Sequence, residues 1–217
     1  MFQQLKAAAA AAAIVATAAL TAPASASVMV FNTEAAFRAN AGVVATDGLD
    51  DLWGAAPSSV LARPQDYTIA TGSAGLFTVG SWNDAWLSTN DPGDSLVFRN
   101  FDTPLHAFGG LFFGSDMWGL PSGGALVFAV TDLSGTFEFA IDASDAATFV
   151  GFHSDHALLS IGVSSGTPGS WVTANNILLE LAAPSAEVME PAPLALSGIG
   201  LLALFLCEQT PQSACRA

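Results

Sequence analysis

The stretch FHSDHALL brings His153, Asp155 and His156 within four residues. Imidazole and carboxylate this close are the parts of a transition-metal site, or of a general base with its orienting partner. On a strand, His153 and Asp155 share a face while His156 points away. The run lies between two strand-like segments, ATFVGF and LLSIGV, so a polar hairpin tip with Ser154 and Asp155 in the turn is expected there. Carboxylates gather again in TDGLDDLWG (Asp47, Asp50, Asp51) and in STNDPGDS (Asp91, Asp94), with Asp84 nearby. Such loops supply oxygens to a structural Ca²⁺, and Asp91 and Asp94 are the pair singled out as metal ligands. EF-hand spacing is absent, and Asp and Asn also favour turns for purely conformational reasons. No other cofactor is expected. Among the tryptophans, Trp82 and Trp86 in SWNDAWLS have polar neighbours and are the expected exposed pair, offering flat apolar faces to sugar rings.

Gly93-Asp94-Ser95-Leu96 spells the word that names a family of serine esterases. In that family the nucleophile follows an apolar strand, and a D-x-x-H sequence supplies the base. Here Asn90-Asp91-Pro92 precede the serine, no D-x-x-H occurs, and the α/β pattern that presents such a serine is missing. A turn entering a strand is expected. No catalytic residue is assigned, and the chain reads as non-enzymatic.

These residues must be positioned by the elements around them. In SVMVFNTEAAFRANAGVV, Asn32 can cap a short helix through Phe37, and Gly42 can end it in the left-handed region. Phe37 is the expected anchor. Beyond it, runs such as YTIAT, GLFTVG, SLVFRNF, ALVFAVTD, TFEFAID and ILLELA are short, aromatic or β-branched, and separated by Gly, Asp, Asn, Pro and Ser. Phe137, Phe139 and Ile141 alternate with Glu138, which points to solvent. Thr131–Thr136 reads as a hairpin turn. Many short strands at roughly ten-residue spacing with one short helix near the N-terminus predict an all-β fold, an antiparallel β-sandwich of jelly-roll type.

Charge narrows the partners. The chain carries 19 Asp+Glu against 5 Lys+Arg, a net charge of −14. Arg38, Arg63 and Arg99 are the only basic residues between Ser27 and Met189. Such a surface repels phosphate backbones, which excludes nucleic acid. Both cysteines, Cys207 and Cys215, lie near the C-terminus, so the body has no internal disulfide and relies on its hydrophobic core.

Both ends are apolar. Residues 1–26 carry Lys6, an Ala-rich stretch from Ala7 to Leu20, Pro23 and then Ala24-Ser25-Ala26, the layout of a secretory signal peptide cleaved before Ser27. Residues 27–183 form the expected β domain, and 184–191 a linker rich in Pro, Ala and Glu. Residues 192–207, APLALSGIGLLALFLC, are apolar throughout and predict a single helix in lipid, short of the roughly 20 residues of a comfortable span. Residues 208–217 are an atypical tail.

Glu190-Pro191 and the small- and leucine-rich span from Pro193 to Leu206 resemble the PEP-CTERM sorting signal of Gram-negative bacteria. NTEAAFRANAG is similar to the opening helix of such proteins, FDTPLHAFGGLFF to their central strands, and FVGFHSDHALLSIGV with NNILLELA to their closing ones. Met189 stands in place of the word's first proline, and Arg216 alone in place of the family's arginine cluster. The resemblance implies export, transient anchoring in the inner membrane, and processing near Glu190 and Pro191 by an exosortase-type enzyme. Delivery to the cell surface or a biofilm matrix follows, where the body contacts exopolysaccharide. The residues leave open a secreted hydrolase built on His153, Asp155 or a loop carboxylate. They also leave open a Ca²⁺-dependent carbohydrate-binding module and a periplasmic protein tethered to the inner membrane.

Overall fold

A computed structural model describes residues 28–55, 58–143 and 148–181. The expected signal cleavage at Ala24, Ala26 and Ser27, the Glu190-Pro191 motif and the apolar span lie outside them. No helix among the described residues is long and apolar enough to cross a membrane.

The chain opens with β1 (Val28–Phe31), α1 (Glu34–Asn40) and β2 (Val43–Asp47). A 3-10 turn (Asp50–Leu52) leads to β3 (Val60–Arg63) and β4 (Tyr67–Ala70), then to the hairpin of β5 (Leu76–Ser81) and β6 (Asp84–Thr89). β7 (Ser95–Arg99), β8 (Leu105–Ser115), β9 (Ala125–Asp132) and β10 (Gly135–Asp142) follow. β11 (Phe149–Ser165) and β12 (Trp171–Leu181) close the fold. All pairings among the described residues are antiparallel. The expected β9–β10 hairpin forms, with Asp132 opposite Gly135 across Leu133 and Ser134. β1, β2, β3 and β6 are strands that the pattern of the sequence did not single out.

The strands make two facing layers. One contains β1, the first half of β11, β8, β12 and, beside β12, both β2 and the β6–β5 hairpin. The other contains β10, β9, the second half of β11, β7, β4 and β3. Phenylalanines bridge them: Phe98 on β7 meets Phe108 on β8 at 4.9 Å, and Phe112 on β8 meets Phe128 on β9 at 5.2 Å. All four rings are fully buried. At about 25 cal/mol per Å² of apolar area, rings of this size dominate the burial term.

β11 corrects an expectation. His153–His156 is no hairpin tip; it lies within one strand of 17 residues that passes from the first layer into the second. The segment has no Gly or Pro to reverse the chain. A register shift between Leu158 and Ser160 bends the strand instead. The inward set changes there from Val150 and Phe152 to Ile161 and Val163, so apolar residues face the core on both sides of the corner. Ser154 Oγ donates to Asp132 Oδ2 at 2.5 Å, tying the corner to the β9–β10 turn. Burial pushes the Asp132 carboxyl up, but hydrogen bonds from Ser134, Ser154 and Gly135 outweigh it and hold it at about 2.

The helix start also differs in detail. Thr33, not Asn32, is the cap: its Oγ1 accepts the Ala36 N–H at 3.3 Å from an extended backbone that suits a β-branched residue. The helix ends at Ala41, itself extended, and Gly42 keeps a negative or extended φ. Phe37 is the buried anchor, seated over Gly151, where a Cβ would fall 2.6 Å from its ring.

Candidate functional site

The outer face of the β8–β12 layer is divided in two. At one end α1 covers Ala107, Phe149 and Leu178. At the other, Phe113, Thr173 and Ser88 lie in register across β8, β12 and β6, and Ser88 and Trp86 line hollows together with residues 116–121 of the β8–β9 connection. A second register shift, between Asn175 and Leu178, makes this division possible. Before it Val172 and Ala174 face the core, after it Ile177 and Leu179 do, so Thr173 and Asn175 point outward beside β6.

The β5–β6 register sets Phe77 opposite Ser88, Val79 opposite Trp86 and Ser81 opposite Asp84, all on this outer face. Leu76 and Leu87, on the other face, enter the core. Trp86 packs edge-on against Phe113 at 4.7 Å. Its Nε1 donates to Asp84 Oδ1 at 2.5 Å, and Asn175 Nδ2 donates to the same oxygen at 3.0 Å. Asp84 Oδ2 is left without a partner among the described residues. Beneath lies a file of buried hydroxyls: Ser115 Oγ is 2.8 Å from Thr173 Oγ1, which donates to Ser88 Oγ at 3.0 Å.

The loop 116–121 is rigidly built. Asp116 Oδ1 accepts the N–H groups of Trp118 (2.8 Å) and Leu120 (3.0 Å), and Asp116 N–H donates to the Leu120 carbonyl. Gly119, at φ +78°, lies so close to Val79 that a Cβ would fall 2.3 Å from Val79 Cγ1. A left-handed backbone and this close approach both require glycine. The loop thus stands against the hairpin with a hollow on either side. One, of about 310 Å³, is lined by Ser81, Asp84, Trp86, Trp118 and Leu120 among others. The other, of about 360 Å³, is lined by Phe77, Ser88, Thr89, Asn90, Asp116 and Trp171 among others. Trp118 is 73% exposed and Phe77 is exposed as well. An outward indole can stack on a sugar ring while the anchored carboxylate beside it accepts the ring's hydroxyl hydrogens.

The expected sites fare differently. Trp82 sits in the β5–β6 turn, 74% exposed, at the rim and not among the groove residues named above; Trp86 is half-buried within the groove. Trp118 and the bracing by Asn175 escaped the sequence reading. The signal that points to Trp118 is the Asp116-Met117-Trp118-Gly119 loop, in which an Asx turn presents an aromatic ring. Asp91 Oδ1 accepts the Gly93 N–H at 2.7 Å, a turn role. Asp94 lies against Gly72, with Oδ2 unpartnered. Among the described residues no group of three or more His, Cys, Asp or Glu converges as a metal site would require. Ser95 opens β7 after that turn, as expected.

Asp47 and Asp51 grip Arg63 in a double fork. Arg63 Nε and Nη2 donate to Asp47 at 2.8 and 2.7 Å, and Nη1 and Nη2 to Asp51 at 3.0 and 2.6 Å. Tyr67 OH donates to Asp47 Oδ2 at 2.8 Å. Burial pulls the guanidinium pKa down, but the Asp47 and Asp51 hydrogen bonds win and raise it. The Arg63 hydrogen bond holds the Asp51 carboxyl below its ordinary value. Asp50 Oδ1 accepts the Ala85 N–H at 3.0 Å, bracing the strand that carries Trp86.

No family model and no curated relative matches the chain. Among solved structures, the chain is similar to a family 6 carbohydrate-binding module, from a study dissecting its binding sub-sites by crystallography and calorimetry. The similarity covers 57% of this chain and 94% of that one, at 13% identity and a TM-score of 0.35.

Proposed function

We propose that the chain is a non-catalytic surface or matrix protein that contacts exopolysaccharide through the groove between the β5–β6 hairpin and the loop 116–121. The observation that carries this reading is the placement of Trp86 and Trp118 along one hollow beside Asp84, whose carboxylate is already oriented by Trp86 and Asn175. Preformed donors, acceptors and ring faces bind at low ordering cost. Glycan-array binding of the purified chain, with Trp118→Ala beside it, tests the reading. The expected result is millimolar or tighter binding of soluble oligosaccharides, weakened roughly fivefold or more by the substitution, the loss of about 1 kcal/mol of ring contact. Equal binding by both proteins would rule the groove out. Binding is expected to survive EDTA; its loss on chelation would favour the Ca²⁺-dependent alternative.

Delivery to the matrix is the second half of the proposal. Resemblance of residues 190–206 to the PEP-CTERM signal supports export, passage through the inner membrane and processing by an exosortase-type enzyme at Glu190-Pro191. Mass spectrometry of the protein recovered from the cell surface is expected to find a C-terminus near Pro191; an intact tail would instead mark a tethered protein.

A further inference from the structure

Both hollows beside Gly119 carry a carboxylate with one oxygen bound and the other without a hydrogen-bond partner among the described residues. Asp84 spends Oδ1 on Trp86 and Asn175, and Asp116 spends Oδ1 on the Trp118 and Leu120 amides. Among the described residues, no basic side chain lines either hollow. Neither carboxylate belongs to an ion pair among the described residues, in contrast to Asp47, Asp51 and Glu34. The chain as a whole carries −14. A uronate or a sulfated sugar entering either hollow would meet a like charge with no cation lining that hollow to offset it. An ammonium would meet, in either hollow, a carboxylate oxygen of opposite charge.

We infer that the groove takes a glycan bearing free amino groups, a glucosamine-type polymer, with Asp84 and Asp116 receiving its ammonium groups and Trp118 its ring face. This rests on the glycan-binding reading above and deepens it to a ligand class. The residue roles are separable. Trp118 supplies contact with any pyranose ring, charged or not. The carboxylates supply the discrimination, because they act only on the substituent that carries charge.

The test uses the purified full-length chain in isothermal titration against a β-linked glucosamine tetramer, its fully N-acetylated counterpart and an oligogalacturonate of the same length. The expected order is the free amine tightest, the acetylated tetramer about three- to tenfold weaker, and the uronate undetected. Raising the pH until the sugar amines are neutral is expected to bring the first two together. Asp84→Asn and Asp116→Asn keep an oxygen at the Oδ1 position, so the loop and Trp86 stay held while the charge is gone. Together they are expected to reduce the amine preference to twofold or less, while Glu138→Gln on the exposed face of β10 leaves it unchanged. If the free and acetylated tetramers bind equally, or if the preference survives the double substitution, the amino-sugar assignment is wrong while the groove stands. If no tetramer binds, or if Trp118→Ala changes nothing, the groove itself is wrong and the inference falls with it.

Discussion

Asp47 shows how one buried carboxylate can consume a cluster that reads as a cation site. It is buried, receives both the Nε and Nη2 of Arg63 and the Tyr67 hydroxyl, and also accepts the Leu49 N–H. Removing the guanidinium leaves that charge without its counterion. Arg63→Ala is therefore expected to lower unfolding free energy by about 3–5 kcal/mol in urea titrations. Acid acts on the same kind of contact. Asp132, held at about 2, and Asp51, held below its ordinary value, both have depressed folded pKa values. Their contribution is fully present above the unfolded value of about 3.9 and is lost as pH falls toward 2. Unfolding midpoints should be insensitive to these two groups above about pH 5 and decline below pH 4. Asp132→Asn should flatten that decline. A carboxylate in the sequence announces an oxygen; whether that oxygen meets Arg63, a turn amide or a ligand depends on strands far away along the chain.

At the scale of elements, two close approaches need glycine, and the groove depends on the first of them. Gly119→Ala adds a Cβ at φ +78° into Val79, so the loop 116–121 must move away from β5 and carry Trp118 with it. The expected outcome is loss of glycan binding with little change in thermal midpoint, since the loop is exposed and lies outside the core. Gly151→Ala places a methyl group against the Phe37 ring instead. That overpacking should cost about 1–3 kcal/mol and leave glycan binding intact, because α1 covers the other end of the same face. The short helix and the β9–β10 hairpin were legible in the sequence, since each rests on local chemistry: a cap, an apolar anchor, a two-residue turn. The continuous β11 was not. Whether Ser154–His156 turns or runs on is decided by β8, β9, β1 and β7 pairing along its whole length, and the expectation of a hairpin tip gave way to that pairing.

At the scale of the whole molecule, charge governs partners. With −14 on the chain, nucleic-acid binding is expected to be undetectable even at low salt, where electrostatic attraction would be strongest. The amino acid order by itself determined the class of fold, because period-two alternation of apolar residues between Gly- and Asp-rich turns admits little but antiparallel sheet. It determined the acidity of the surface and the apolar character of both ends for the same reason: these are sums and periods over neighbouring residues. Only the tertiary structure decided which aromatic rings share a groove. Trp86 and Trp118 are separated by two strands and three loops, and they meet because β5–β6 pairs onto β12 while Gly119 lets the β8–β9 loop rest on Val79. Trp82, four residues from Trp86, is carried to the rim by a two-residue turn. Proximity across a sheet is set by register and bulges, and no local property of the residues encodes it.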